Sequence, residues 1–455
     1  IPLALWQALD ELHPERDAWN EERITPLYDA LMRLEPDLDL AANEPDDLDA
    51  IRALRPDGPR NLGWSPSEAD LIDRLHGAWT GRATGCALGK PVEGMGMSSR
   101  GGRPVGRARI KAYLQKRGDW PLRDYFSTRD VGDGETISCP LSTREQIAFM
   151  ESDDDIHYSL TGLGVVEKNG PDFTWDDVAR YWTAHIPFAY ICTAETQAYL
   201  NFQNRSARGN NLACTPAFTR MHRNPYREWI GAQIRADGWA WCCAGRPEQA
   251  AEFAWRDACW THTRNGIYGE MLFAAMIAAA FVESDPVRLV RLGLSEIPRD
   301  CRLAVAVRDL LAALPSLPTW EDAMTWVEAR CARLSPWHWW GGAKGELVRT
   351  FGMNPVHTPN NALACIVALV YGRMDTIEAP AIAVMCGLDT DCNGATVGSI
   401  VGAAAGRKRF KDDLAGRLND TIQPNMLGFQ KVTMRELAER TAVQWRRCGE
   451  AAHPA

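Results

Sequence analysis

The chain has 455 residues, of which 45% are hydrophobic and 24% are charged, values typical of a globular protein with packed cores. Fifty basic residues against 59 acidic residues give a formal net charge of −9. This acidic balance excludes a nucleic-acid binder that works through a basic surface. The longest apolar run, residues 271–282, is too short to span a membrane, which needs about 18 residues, so it is predicted to be a buried helix.

The cysteines and the beginning of the chain bear on its compartment. Thirteen cysteines, an odd number, are scattered without a C-x-x-C pair. Scattered thiols in a long chain are typical of a reducing compartment rather than of a disulfide framework or a structural zinc site. No charged segment followed by an apolar one opens the chain, so no secretory signal is expected. We therefore expect a cytoplasmic protein with neither a membrane nor a nucleic acid as its partner.

Helical patterns dominate the chain from its beginning to its end. Residues 1–66 form an acidic helical extension that ends in the Pro/Gly-rich stretch 55–60, the best candidate for a linker. The sequence Ser-Pro-Ser-Glu at residues 65–68 is typical of a helix start, and residues 67–455 are predicted to form one domain. Period-2 runs of β-branched residues are nearly absent, so the predicted fold is all-α. The clearest predicted helices are 247–259, 267–282, 287–293, 320–333, 361–371 and 395–405.

Two carboxylate clusters lie at predicted junctions between a loop and a helix. Residues 151–155, Glu-Ser-Asp-Asp-Asp, repel one another unless cations, solvent or shifted pKa values offset the charge. Asp389 and Asp391 form an Asp-x-Asp step before a helix of small residues, and their oxygens can converge on Mg²⁺, Mn²⁺ or Ca²⁺. The alternative for either cluster is a solvated helix N-terminus or an N-cap.

A glycine pattern over residues 77–93 precedes both clusters. Glycines at positions 77, 81 and 85 leave a bare stripe on one helix face, which allows a second helix to approach closely. Glu93 follows Pro91, which is predicted to end that helix. The alternative to a functional role is that this segment is only a packing helix and that Glu93 after it has no function.

Taken in chain order, the glycine pattern and the two acidic clusters resemble the motifs of the ADP-ribosylglycohydrolase family over roughly residues 70–410. The counterparts of the family's motifs are residues 85–93, 152–154, 231–235 and 387–398. The resemblance implies a single large orthogonal helical domain that holds two divalent cations, Mg²⁺ or Mn²⁺, in a cleft. It also implies hydrolysis of a glycosidic bond at the anomeric carbon of ADP-ribose by activated water.

The same resemblance implies roles for individual residues. Glu93 corresponds to the acid that closes over the site, and Glu93 and Asp154 are the candidate proton acceptors. The implied metal ligands are Ser152, Asp153, Asp154, Asp389, Asp391 and Cys392, joined by Asp155 if the first cluster is aligned one residue later. The candidate substrate-binding residues are Gly231, Gln233, Arg235, His262 and Asn361. The alternative for His262 is a buried, hydrogen-bonded histidine, and for Asn361 a helix cap.

Three departures from the family's motifs affect the functional hypothesis. Cys392 replaces a metal-ligating threonine, and because a thiol is a poor ligand for Mg²⁺, the second cation site is weakened. Cys86 replaces an aspartate, and residues 232–233 replace Asn-Gly in the segment that contacts ADP-ribose. The leading hypothesis is a metal-dependent hydrolase of an N-ribosyl bond, in an ADP-ribosylated protein or a small nucleotide- or NAD-derived riboside. The alternatives are a hydrolase of another phosphorylated sugar and a degenerate ADP-ribosyl-binding module. Under any of these hypotheses the protein is expected to be a monomer or a homodimer.

Overall fold

A computed structural model describes residues 3–12, 21–34, 37–100, 103–207, 214–334, 339–340, 347–348 and 353–452. Its first eleven helices are α1 Leu3–Leu12, α2 Glu21–Met32, α3 Leu38–Asn43, α4 Leu48–Leu54, α5 Glu68–Gly89, α6 Glu93–Gly96, α7 Gly106–Arg117, α8 Asp154–Asn169, α9 Trp175–His185, α10 Thr193–Ala207 and α11 Pro216–Met221. The next eleven are α12 Ala236–Cys242, α13 Pro247–Ala258, α14 Asn265–Ala280, α15 Pro286–Leu294, α16 Arg302–Ala313, α17 Trp320–Leu334, α18 Thr358–Tyr371, α19 Glu378–Met385, α20 Thr390–Ala405, α21 Asp412–Ala415 and α22 Met434–Ala452.

The strands form three two-stranded antiparallel hairpins within the described residues. Their bounds are β1 Ser99–Arg100 with β2 Arg103–Pro104, β3 Trp339–Trp340 with β4 Leu347–Val348, and β5 Thr421–Ile422 with β6 Val432–Thr433. Each strand is two residues long, so helix packing builds the domain. The prediction of an all-α fold is confirmed.

The six helices predicted most clearly are present as α13, α14, α15, α17, α18 and α20. Two of them begin at least three residues earlier than periodicity indicated: α18 at Thr358 rather than residue 361, and α20 at Thr390 rather than residue 395. The first turn of α20 carries Asp391, and a carboxylate there is stabilised by the helix dipole, so the helix begins within the acidic step, with Asp389 as its N-cap. Asn361 lies inside α18, so the helix-cap alternative for this residue is wrong.

Helix α14 runs through the centre of the core. All of its residues are buried, because a helix that is apolar nearly all round has no face to offer to solvent. The apolar run 271–282 is therefore a buried helix over most of its length, as predicted. None of the described helices combines the length and the apolar character that crossing a membrane requires.

Helices α5 and α20 touch along their backbones. A Cβ atom added at Gly81 would lie 2.0 Å from the carbonyl oxygen of Gly398, and one added at Gly398 would lie 2.0 Å from that of Gly81. The same close approach recurs between Gly77 and Gly402 and between Gly85 and Gly394. The predicted glycine stripe of α5 is thus matched by a second stripe on α20, and the two helices run antiparallel.

Ion pairs fix the segment that precedes α5 to the helical body. Glu44 is buried and accepts hydrogen bonds from Arg302 at the start of α16. Arg55 and Arg60 both bind Glu296, at 2.7 and 2.8 Å. The stretch 55–60, expected to be a linker, has no helix, and these contacts hold it against the loop after α15.

Candidate active site

The close packing of α5 on α20 brings two sequence motifs together. Because the helices are antiparallel, the end of α5 lies against the beginning of α20. Thr390 Oγ1 donates a hydrogen bond to the carbonyl oxygen of Gly89 at 2.8 Å. Leu388 N donates one to the carbonyl oxygen of Gly96 at 3.0 Å, which ties α6 to the loop before α20. Glu93, the first residue of α6, is therefore placed beside Asp389 and Asp391.

The first acidic cluster forms the beginning of α8. Asp153 is the N-cap, and its Oδ1 accepts a hydrogen bond from Asp155 N at 2.9 Å. Lys90, which follows α5, donates from Nζ to Asp153 Oδ2 at 2.6 Å and to the carbonyl oxygen of Ser152 at 2.7 Å. This lysine fixes the beginning of α8 to the end of α5.

These elements surround a cleft of about 570 Å³. Single carboxylate oxygens of Glu93, Asp389 and Asp391 lie within 4.8 Å of one another. The carboxylates in the lining of the cleft are Glu93, Asp153, Asp154, Glu195, Asp389 and Asp391. Among the residues that line this cleft in the described part of the chain, Lys90 is the only lysine or arginine. The two acidic clusters and Glu93 therefore meet in one strongly negative site.

The crowded negative charge shifts the pKa values of these acids. Asp391, together with burial, raises the pKa of Glu93 to about 9. Burial, together with Asp153, raises the pKa of Asp391 to about 6. Burial also opposes ionisation of Asp153, but the adjacent Lys90 outweighs it and holds the pKa of Asp153 below its usual value. A bound cation would reverse the upward shifts, since it supplies the missing positive charge.

Asp155 borders the cleft from behind rather than lining it. Its side chain is completely buried, and its Oδ1 is 2.8 Å from Nη2 of Arg82, which is also completely buried. Nη1 of Arg82 lies 2.7 Å from Oδ2 of a third buried residue, Asp237. Asp155 Oδ2 accepts no hydrogen bond from the residues that the structure describes. One carboxylate oxygen of Asp155 nevertheless lies within 4.8 Å of ligand atoms of Asp391 and Cys392.

The family model of the ADP-ribosylglycohydrolases matches residues 67–450. The chain belongs to the ADP-ribosylglycohydrolase family. Among solved structures, 46 chains match. One of them, described as an ADP-ribosylglycohydrolase-related protein complex, has 18% sequence identity and a TM-score of 0.50, with 84% of this chain and 99% of that chain covered. No match is found among curated proteins. At this identity the structural likeness shows the fold alone, whereas the family match confirms the resemblance of the motifs and indicates a hydrolase of the glycohydrolase type.

The central segment of the chain contributes to the cleft through Gly231. A Cβ atom there would lie 2.2 Å from Glu195 Oε1, so a glycine is needed where Glu195 meets the cleft wall. Gln233 and Arg235 are completely buried and do not line the cleft. Arg235 instead binds Glu195 at 2.5 Å and Asp257 at 2.6 Å. Its place in the structure is that of a buried support for Glu195.

His262 and Asn361 likewise lie behind the cleft wall rather than in it. The His262 Nδ1 is 2.8 Å from Thr261 Oγ1, and its Nε2 is 3.9 Å from Glu195 Oε1. Burial, together with Arg235, lowers the pKa of His262 well below its usual value, so the ring is neutral. Asn361 Oδ1 accepts a hydrogen bond from Asp389 N at 3.3 Å, so Asn361 supports the loop that carries the second acidic cluster.

Two residues of the site had no distinctive sequence signal. Glu195 lies in the first turn of α10, a position where an acid is ordinary because of the helix dipole. In the structure it is almost completely buried, and burial outweighs Arg235 and raises its pKa to about 7. Lys90 falls within the first family motif, yet the sequence does not indicate which carboxylate it binds.

Proposed function

We propose that this protein is a metal-dependent enzyme that cleaves an N-ribosyl bond, in an ADP-ribosyl group or in a small nucleotide- or NAD-derived riboside. The observation that carries the proposal is the convergence of carboxylates from α6, α8 and α20 in one cleft beside a single lysine. The cleft volume of about 570 Å³ falls within the range of about 300–1,000 Å³ that is usual for small-molecule sites.

The residues present fit a divalent cation. Asp389 Oδ1 is buried and accepts no hydrogen bond from the described residues, which leaves it free for a ligand. The oxygens of Glu93, Asp389 and Asp391 are close enough together to hold one ion, and oxygen donors suit hard divalent cations. We assign a second group of ligands to Ser152, Asp153 and Asp154. A bound divalent cation would make water more acidic and orient the ribose hydroxyls.

In the proposed reaction the oxygen of water attacks the anomeric carbon and the carbon–nitrogen bond breaks. The bonding electrons leave with the nitrogen, which takes up a proton. We assign acceptance of the proton from water to Glu93, because it is the half-buried acid on the short helix α6 and lies beside both Asp389 and Asp391. Asp154, which also lines the cleft, is the second candidate for this role.

The proposal is tested by a substrate panel. It comprises an ADP-ribosyl-arginine protein, an ADP-ribosyl-serine peptide, NAD, its mononucleotide and simple nucleosides, each with Mg²⁺, Mn²⁺ or EDTA. We expect release of ribose or ADP-ribose that EDTA abolishes. The Asp391→Ala variant should lose at least about 100-fold in activity, since it removes a group on which cation binding depends. The exposed Asp413→Ala is the matched control and should retain full activity.

The outcome of this panel separates the alternatives. Metal-dependent release that disappears in Asp391→Ala supports the hydrolase, and the preferred substrate names the leaving group. A folded, cation-binding protein that turns over none of these compounds contradicts the proposal. Binding of ADP-ribose without turnover then indicates a binding module. Phosphorylated sugars are assayed in parallel, and metal-dependent release of phosphate or of a sugar phosphate from them indicates the other hydrolase class.

A further inference from the structure

A cysteine sulfur lies among the carboxylates of the site. Cys392 is in the first turn of α20, lines the cleft and is 6% exposed. Its Sγ and single carboxylate oxygens of Asp155 and Asp391 lie within 4.8 Å of one another. Three potential ligand atoms, one of them sulfur, therefore surround a space of the size that a metal ion requires.

A second sulfur adjoins the first group. Cys86 lies on α5, is completely buried, and has its Sγ within 4.8 Å of carboxylate oxygens of Asp153 and Asp155. Asp155 thus belongs to both triplets, and each triplet contains one thiol. The group of Glu93, Asp389 and Asp391 contains oxygen donors alone, so the two sides of the site differ in chemistry.

An unpartnered buried oxygen points independently to a ligand. Asp155 has no exposed surface, and Arg82 occupies only its Oδ1. Its Oδ2 accepts no hydrogen bond within the described part of the chain. A buried acceptor that is left unsatisfied destabilises the folded chain, and more so when it is charged. A cation between Asp155, Asp391 and Cys392 would remove that cost, whereas a thiol present merely as a small apolar side chain would not.

We propose that Cys392, Asp155 and Asp391 bind a thiophilic divalent cation, of the class of Zn²⁺, Co²⁺ or Fe²⁺, in preference to Mg²⁺. A soft thiolate favours these ions, while Mg²⁺ favours oxygen donors alone. On binding, the bond between Sγ and its hydrogen breaks, the proton passes to solvent, and a bond forms between Sγ and the metal. The inference rests on the proposed metal-dependent function and adds a neighbouring ligand group, which shares Asp391 with the group that contains oxygen donors alone.

Binding of Co²⁺ provides a spectroscopic test of whether sulfur coordinates the metal. Thiolate bound to Co²⁺ gives an intense charge-transfer absorption in the near ultraviolet, which carboxylate ligands do not give. We expect Co²⁺ alone, added to the metal-free full chain, to produce this absorption. It should disappear in Cys392→Thr and in Cys392→Ser. The matched control is Cys386→Ser, which removes a buried cysteine outside all three ligand groups and should keep the absorption.

Calorimetric titration measures the preference itself. In Cys392→Thr the affinity for Zn²⁺ should fall at least about tenfold, while the affinity for Mg²⁺ should not fall. Binding of Co²⁺ without the near-ultraviolet band overturns the inference, and so does a band that survives in both Cys392 variants of confirmed fold. A band lost in Cys86→Ser alone also overturns it, since the other sulfur would then be the ligand. Metal-dependent release of ribose measured on the same samples shows separately whether the proposed function stands.

Discussion

Replacing Gly81 by alanine tests the role of the contact between α5 and α20. A Cβ atom at this position would lie 2.0 Å from the carbonyl oxygen of Gly398 and 2.7 Å from its carbonyl carbon. Real Cβ atoms essentially never approach closer than 3.0 Å, so the two helices must separate by about 1 Å. Both atoms with which the added Cβ would clash belong to the backbone of a buried helix. A change of side-chain rotamer therefore cannot relieve the clash.

The expected magnitude is the balance of two opposing effects. Overpacking a well-packed core typically costs about 1–3 kcal/mol, and the rigid partner here places Gly81→Ala at the upper end. Alanine inside a helix gains about 1 kcal/mol over glycine. We therefore expect the free energy of unfolding to fall by about 2 kcal/mol. Activity should fall as well, because α20 carries Asp391, and a displacement of about 1 Å can cost roughly 100-fold in rate.

The assay is urea unfolding followed by circular dichroism, with Gly94→Ala as the matched control. Gly94 lies on α6 beside the same site, yet no atom lies within 4 Å of a Cβ added there. Gly94→Ala should leave the free energy of unfolding unchanged or raise it by up to about 1 kcal/mol, because alanine is the better helix former. If the free energies of unfolding of Gly81→Ala and Gly94→Ala differ by less than about 0.5 kcal/mol, the backbone contact does not constrain the fold and the reasoning is refuted.

Three further predictions concern stability, each measured by urea unfolding in EDTA. Arg82→Met should lower the free energy of unfolding by about 3–5 kcal/mol, since it leaves two buried aspartates without their counter-charge; a loss below about 1 kcal/mol would contradict this. Burial raises the pKa of Glu195 from 4.5 to about 7, so the folded chain keeps a proton that the unfolded chain has lost, and stability falls as pH rises through that interval. Between these two pKa values the free energy of unfolding should decline by about 3 kcal/mol, and Glu195→Gln should remove this decline. An unchanged pH dependence of stability in the variant would exclude Glu195 as its source. Ser67→Ala should cost about 1 kcal/mol because its hydroxyl caps α5, and an unchanged unfolding midpoint would show that the cap contributes nothing.

The site combines an unstable arrangement of charge with a rigid frame. Several carboxylates share one cleft with Lys90. Burial and the neighbouring carboxylates raise the pKa of Glu93 and of Asp391. Like charges at this spacing cost free energy unless protons or cations offset them. The contact between α5 and α20 prevents relaxation of the site, because neither helix can move away without losing its packing. The frame thus holds the acids in the arrangement that a cation would stabilise.

The helical class, six of the helices and the two acidic clusters could be predicted from the amino-acid sequence alone. Helical periodicity is a local property, and burial of one face follows from it, so α13 to α15 and α17 were predicted close to their observed ends. The cap at Ser67 and the glycine stripe from Gly77 to Gly85 are also local patterns. Family motifs placed the candidate ligands in order along the chain, again without knowledge of their neighbours in space.

Which of those residues face the cleft depends on how distant segments pack together. Asp155 stands next to Asp154 in the sequence, yet Arg82 holds it behind the site. Arg235 was expected to contact substrate, but in the structure it is buried and supports Glu195, an acid that no motif singled out. Ion-pair partners and cleft walls come from segments far apart along the chain, so local patterns contain no information about them. The packing of α5 against α20 and α8 brings these segments together, and thereby determines the charge of the site.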